Sequence, residues 1–383
     1  MNLKTFLLKV FDQKYFKIFL IFTVILLGSY LRILHILEKG GDYETYRNAV
    51  SQFLKGKNIY ENTVKSYIKG DEESHGYAYF PTLLYLYSPF YMLSKKIDIS
   101  FNVLYKIPVF IADLATGLLI FSILFKKEKN FYIGLLGLVF WLFNPHLIVK
   151  NTYVLTEPLG IFFMLLALRY LGDDDIKSGI FYALSFSFKS FSLVLFPLFL
   201  LKSKNKFKYL IFCLLIFLVI SIPFMHSYKD FLYYLEGSFL VHGSRGAQGR
   251  PLLGYLSYQI YKSKYYVLIT QPLKYISLIS GTVISFFLYF KRKISDKYIM
   301  SATALFFLFT LSPVFTKTYL LWLFPSYSIG LYEYLLSYKN KYGNGNRIYV
   351  LYFLLLLFFW GFYGYYLKIW DTNFAFSEDG INF

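Results

Sequence analysis

Long apolar stretches separated by short lysine clusters constrain this chain more than any other feature. Residues 207–223 and 349–362 carry almost no charge, and the whole chain is 57% hydrophobic and 16% charged. Soluble domains are about 45–50% apolar and about 25% charged. About 20 apolar residues span the ~30 Å hydrocarbon core of a bilayer as a helix, which satisfies its own backbone hydrogen bonds. The sequence therefore predicts an all-α polytopic membrane protein.

The basic residues of the chain are distributed as topology signals. A formal net charge of +18 by itself would also fit nucleic-acid binding. The lysines, however, stand in short clusters between apolar spans, where they orient helices and contact anionic lipid headgroups. We therefore expect membrane lipids as partners and no nucleic acid. The single cysteine, Cys213, lies in an apolar run, so no intrachain disulfide can form.

The positive-inside rule gives a topology. Lysines precede a first span at about 17–37, which favours an uncleaved first helix with a cytoplasmic N-terminus. A span at 101–125 returns to a second lysine cluster. Further spans are predicted at 131–149, 154–171, 207–225, 265–290, 298–315, 319–336 and 348–367. With the hairpin below, about eleven membrane elements form one domain over 1–383, with external loops at about 38–100 and 226–264.

Residues 180–201 do not fit a single crossing. One helix would bury Lys189 at mid-membrane, which costs several kcal/mol, and would place the following lysine cluster outside. Two short half-helices that enter and return remove both problems, so we predict a hairpin with Lys189 at its outer apex.

The first external loop contains juxtamembrane elements. Residues 47–54 mix apolar and polar positions, as a helix lying in the interface does. Residues 77–93 are rich in aromatic side chains, but Pro81 and Pro89 disfavour a regular spanning helix. We predict a second juxtamembrane or re-entrant element there.

An acidic motif, Gly41-Asp42-Tyr43-Glu44-Thr45-Tyr46, follows the first span. Its carboxylates are either solvated loop charges or catalytic groups that act on a lipid-borne substrate. The topology places further polar residues from distant parts of the chain on the same outer side, as a membrane-surface active site requires. They include Tyr46, Arg47, Glu157, Lys189, His242, Arg245, Arg250, Lys317 and Tyr319.

The acidic motif, with the later Gly56-Lys57-Asn58-Ile59-Tyr60 and Tyr77-Ala78-Tyr79-Phe80-Pro81-Thr82-Leu83-Leu84, resembles the first external loop of GT-C glycosyltransferases. The likeness is to the polyprenyl-phosphate-mannose-dependent enzymes of glycosyltransferase family 87 and to the GPI mannosyltransferase I catalytic subunit. Shorter likenesses extend it along the chain: Asn144-Pro145, Thr156-Glu157-Pro158, Phe188-Lys189-Ser190 and Tyr319-Leu320-Leu321-Trp322-Leu323-Phe324-Pro325. The GPI-type enzymes carry Asp-x-Asp where this chain has Asp42-Tyr43-Glu44.

The resemblance implies a GT-C fold and an inverting transfer of a sugar, with mannose favoured, from a polyprenyl phosphate. A carboxylate must take the proton of the attacking hydroxyl, and we assign this role to Asp42, with a loop-capping role as the alternative. Glu44 either orients Asp42 or is a solvated charge. Both carboxylates offer oxygen ligands to a divalent metal, but nothing else in the sequence supports a metal or other cofactor.

The leaving polyprenyl phosphate needs fixed cations. The candidates are Lys189, Arg245 and Arg250. The two arginines lie in a Gly-rich loop, and the alternative is that this loop is a flexible connector with incidental charges. Substrate contacts are assigned to Tyr46, Tyr79, Glu157, His242 and Tyr319, with helix-dipole stabilisation as the alternative for Glu157.

Several alternatives stay open. A glucosyl or aminoarabinosyl donor is the nearest rival to mannose, and the acceptor is a glycolipid, a lipid-linked glycan or a protein. The site is expected on the external face of the cell membrane, or in the lumen if the membrane is that of the endoplasmic reticulum. The alternative function is a transporter or lipid scramblase without chemistry, for which paired repeats and midplane ionisable residues would be expected.

Overall fold

A computed structural model describes residues 13–40, 42–67, 76–146, 156–241, 248–249, 266–291, 296–342, 345–371, 375–377 and 380–382. The described chain is predominantly helical. Its α-helices are α1 Lys14–Ile33, α2 Tyr43–Leu54, α3 Ile59–Tyr67, α4 Thr82–Ser94, α5 Phe101–Leu104, α6 Lys106–Glu128, α7 Phe131–Leu142, α8 Glu157–Tyr170, α9 Asp175–Phe188, α10 Phe196–Lys202, α11 Lys206–Ser221, α12 Tyr228–Leu235, α13 Tyr266–Phe290, α14 Lys297–Leu311, α15 Tyr319–Tyr342 and α16 Gly345–Asp371. Single 3-10 or π turns cover Ser190–Leu195, Ile222–Phe224 and Glu236–Leu240.

Four very short strands depart from the all-α prediction. They are β1 Gln248–Gly249, β2 Val314–Phe315, β3 Ala375–Ser377 and β4 Gly380–Asn382. Strand β1 pairs with β2 in parallel and with β3 in antiparallel orientation, and β3 pairs with β4. Because each strand has only two or three residues, the helices define the architecture.

The helices include four that are long and apolar enough to cross a membrane, within the described ranges: Lys14–Ile33, Phe101–Glu128, Lys206–Phe224 and Arg347–Lys368. Shorter apolar helices lie at Phe131–Leu142, Ser190–Lys202, Tyr275–Phe290 and Lys297–Leu311. Large apolar side chains of α1, such as Phe19 and Phe22, point outward, as lipid-facing side chains do. The chain is therefore compatible with a membrane protein, whereas the number of about eleven membrane elements is not confirmed.

The predicted break at Lys189 is present. Helix α9 ends at Phe188, Lys189 has an extended backbone, and a 3-10 turn leads into α10. The Tyr182 hydroxyl donates to the Ser192 carbonyl at 3.1 Å, and the Tyr182 and Phe199 rings lie 4.6 Å apart. The chain therefore reverses direction at Lys189, as the sequence predicts, whereas the position of this turn in a membrane stays a prediction.

The two ends of the bundle differ in chemistry. At the end opposite the Lys189 turn, Glu128 accepts hydrogen bonds from Lys339 and Tyr332 at 2.6 Å each. Nearby, Lys297 donates to the Leu171 carbonyl at 2.8 Å, which joins α14 to the end of α8. Basic residues that the sequence placed on the cytoplasmic side thus gather at one end, where they tie helix termini together.

The first-loop elements are helices. Helix α2 covers the interfacial helix predicted at 47–54, and it buries Tyr46 and Val50 on one face. The segment after Pro81 forms α4, which has 13 residues and includes Pro89. Helix α3 between them was not predicted. At 12 and 13 residues, α2 and α4 are shorter than a membrane crossing.

A buried ion pair connects α1 to the rest of the structure, and the sequence analysis did not anticipate it. Arg32 Nε donates to Asp113 Oδ2 at 2.6 Å, and both side chains are almost fully buried. The Arg32 guanidinium also donates to the Leu142 carbonyl of α7 at 3.0 Å. Since α1 is otherwise largely exposed, this pair fixes where α1 meets α6 and α7.

Removing one partner of this pair is expected to destabilise the protein strongly. Arg32→Met leaves an uncompensated buried charge, and Asp113→Asn leaves a buried cation with unpaired donors, so each is expected to lower the free energy of unfolding by about 3–5 kcal/mol. Arg32→Met/Asp113→Leu removes both charges and is expected to recover most of this loss. The measurement is the temperature at which half of the detergent-solubilised protein leaves the monodisperse size-exclusion peak. Single variants as stable as the wild type would contradict the prediction.

A second prediction concerns the contact of α9 with α11. A Cβ at Gly179 would lie 2.5 Å from the Tyr209 carbonyl oxygen, which belongs to the backbone and cannot rotate away. Gly179→Ala is therefore expected to cost about 1–3 kcal/mol in the same assay. Gly361→Ala is the matched control, because its added Cβ meets no described atom within 4 Å beyond the local backbone of its own helix. Equal thermal stability of the two variants would refute the close contact.

Candidate functional site

A cavity of about 540 Å³ lies at the end of the bundle that carries the Lys189 turn. Distant parts of the chain border it: the first loop, the start of α8, the hairpin turn, the π turn at Glu236–Leu240, α13, α14 and the segment that leads into α15. Their charged and phenolic residues in the lining are Asp42, Tyr79, Glu157, Lys189, Lys317 and Tyr319. Five of these six are residues that the sequence analysis assigned to the site.

Asp42 occupies the N-cap position of α2 but makes no side-chain capping bond there. Its Oδ2 instead accepts the Tyr79 hydroxyl at 2.9 Å and the Tyr46 hydroxyl at 3.3 Å. The Asp42 side chain therefore does not cap α2. Two phenols hold a carboxylate at the cavity wall, a geometry suited to a proton acceptor.

The two phenols keep their protons over the physiological range. Burial raises the pKa of Tyr79 well above its ordinary value, and the neighbouring Asp42 charge raises it further. Burial, followed by the charges of Tyr79 and Asp42, raises the pKa of Tyr46 in the same way. Both groups therefore remain hydrogen-bond donors to Asp42.

Glu157 and Lys189 form an ion pair at the cavity. Glu157 is the first residue of α8 and is fully buried, and its Oε1 accepts from the Lys189 ammonium. Thr318 donates to the same oxygen at 2.9 Å. Stabilisation of the α8 helix dipole does not by itself explain why Glu157 makes these two contacts. Lys189 is thus the cation at the hairpin turn, and it already has a resident counter-ion.

Aromatic and aliphatic side chains form one wall beside Lys189. The ammonium lies 5.3 Å from the centre of the Phe191 ring and 6.0 Å from that of Tyr319. Leu278 of α13 and Leu308 and Phe309 of α14 continue this wall. The cavity therefore joins charged groups to an apolar surface, as a phosphate linked to a lipid requires.

Glu44 and Tyr46 lie away from the cavity lining. Glu44 is half exposed and pairs with Arg47 of the same helix at 2.7 Å. Tyr46 is 1% exposed and meets the site through its bond to Asp42 and its ring contact with Tyr79. A direct substrate contact by Tyr46 is thus not supported by its position. His242, Arg245 and Arg250 lie outside the described residues.

The sequence analysis missed the hydroxyl groups of this site. Thr318 binds Glu157, and Lys317, although placed on the outer side, was given no role. Further hydroxyl side chains in the lining are Ser190, Ser238, Ser277, Ser312 and Thr316. The only sequence signal is that residues 316–318 directly precede the Tyr319 motif.

Metal binding has no support in the described part of the chain, where no group of three or more His, Cys, Asp or Glu side chains is placed to hold an ion. No protein-family model and no curated protein sequence matches this chain.

Proposed function

We propose that this protein is an inverting glycosyltransferase that moves a sugar from a polyprenyl phosphate to an acceptor at the external or lumenal face of a membrane. One observation carries the proposal: Asp42 and Lys189, 147 positions apart in the sequence, border one cavity that also has an apolar wall. A base, a cation and a lipid-compatible surface are the three components that this transfer needs.

The chemistry is a single displacement. The acceptor hydroxyl oxygen attacks the anomeric carbon, Asp42 takes the hydroxyl proton, and the bond from the anomeric carbon to the phosphate oxygen breaks. Lys189 stabilises the negative charge that develops on the leaving phosphate. Tyr79 and Tyr46 fix the Asp42 carboxylate in position, and no covalent intermediate is required.

The finer assignments belong to the same proposal. They are a GT-C fold with about eleven membrane elements, a cytoplasmic N-terminus and mannose as the sugar, with a glycolipid, lipid-linked glycan or protein as acceptor. The gathering of basic residues at the end of the bundle opposite the cavity supports this orientation.

A transporter or lipid scramblase is the second candidate, and one observation favours it. The Arg32–Asp113 pair places ionisable groups inside apolar helices, a feature typical of transport proteins. Neither residue borders the cavity, which favours an anchoring role for the pair.

The decisive experiment is transfer from radiolabelled polyprenyl-phosphate mannose, with glucose and aminoarabinose donors in parallel, in membranes that contain the chain. Asp42→Asn is expected to reduce transfer at least about 100-fold, since it removes a general base. Glu44→Gln is the matched control because Glu44 is on the same helix and away from the cavity, and it should keep transfer near the wild-type rate.

Equal transfer by wild type and Asp42→Asn would remove Asp42 from the chemistry. Absence of transfer from all three donors, with flipping of a labelled lipid phosphate instead, would favour the second candidate.

A further prediction concerns Tyr79. Tyr79→Phe removes the shorter hydrogen bond to Asp42, and transfer is expected to fall about tenfold, which corresponds to about 1.4 kcal/mol for one hydrogen bond to a charged group. Tyr85→Phe is the control, since the Tyr85 hydroxyl donates to the Ile220 carbonyl and not to the site. Unchanged turnover in Tyr79→Phe would show that Tyr46 alone positions the carboxylate.

A further inference from the structure

The Glu157–Lys189 pair has a feature that phosphate binding alone does not explain. A cation meant for a phosphate needs no resident carboxylate, yet Glu157 is fully buried against Lys189. The two residues come from different elements, α8 and the turn after α9. The tertiary structure therefore brings a negative charge to the place where a phosphate would bind.

The two carboxylate oxygens of Glu157 differ in their hydrogen bonds. Its Oε1 accepts from both Lys189 and Thr318. Its Oε2 is buried and has no hydrogen-bond partner among the described residues. A buried carboxylate with so few donors depends on its cation, and loss of that cation leaves an uncompensated buried charge.

We propose, on the basis of the function above, that Glu157 is an internal counter-ion that competes with the phosphate of a polyprenyl phosphate for Lys189. A bound phosphate repels the Glu157 carboxylate and draws the ammonium away from it. The pair reforms when the lipid phosphate leaves. Glu157 is thus a positioning residue that limits affinity for the product and favours its release.

Competition between Glu157 and a phosphate for Lys189 predicts in which direction each substitution changes the affinity for a lipid phosphate. Farnesyl phosphate, a short polyprenyl phosphate, is titrated against the detergent-solubilised full chain by isothermal calorimetry. Glu157→Gln is expected to bind it at least tenfold more tightly than the wild type, and Lys189→Met at least tenfold more weakly. Glu128→Gln is the matched control, because it neutralises a carboxylate that is paired with a lysine at the opposite end of the bundle, and it should stay within threefold of the wild type.

A second comparison covers the case in which Glu157→Gln alone fails to fold. Glu157→Gln/Lys189→Met lacks both charges, a change that buried pairs tolerate. It should bind farnesyl phosphate at least fivefold more tightly than Lys189→Met, since only the repulsion by Glu157 has been removed. If Glu157 serves structure alone, the two variants bind equally.

The proposal is overturned if Glu157→Gln binds farnesyl phosphate as weakly as the wild type or more weakly, or if no variant binds it. Binding requires no sugar transfer, so this result is separate from the Asp42→Asn assay. Where transfer is measurable, Glu157→Gln should lower both KM and kcat, the pattern of slow product release, whereas a misplaced Lys189 would raise KM.

Discussion

The cost of placing the Lys189 ammonium in an apolar region determines the centre of this structure. A continuous helix over residues 180–201 would leave that charge among lipid-compatible side chains. The chain breaks at Lys189 instead and returns as a 3-10 turn and α10. The break places the ammonium against Glu157 and beside a cavity, so one local interruption produces both the hairpin and the cationic part of the site.

The position of Asp42, the acidic group across the cavity, depends on aromatic side chains. Asp42 lies in a short loop segment, yet two phenols and the packing of α2 against α4 hold it at the cavity. The rings of Tyr46 and Tyr79 lie 5.8 Å apart, and those of Tyr46 and Tyr87 lie 5.7 Å apart. The aromatic residues of the first loop, which the sequence suggested for headgroup contact, therefore also build a rigid support for a carboxylate.

Three ion pairs of the described residues lie in different settings. The Arg32–Asp113 pair is buried and fixes a helix that is otherwise exposed. The Glu128–Lys339 pair is partly exposed and joins helix ends. The Glu157–Lys189 pair borders a cavity, so a ligand can reach it. Of these three pairs, the third borders a cavity, and there the Glu157 Oε2 has no hydrogen-bond partner among the described residues.

Hydropathy and the cost of a buried lysine are local properties, so the amino-acid sequence predicts the helical class and the break at Lys189. It also marked Asp42, Tyr79, Glu157, Lys189 and Tyr319 as belonging on one side. Only the folded structure shows that these residues share a cavity and that Thr318 and Arg32 bind Glu157 and Asp113. These two contacts join residues 161 and 81 positions apart, and no periodicity encodes which helix face meets which.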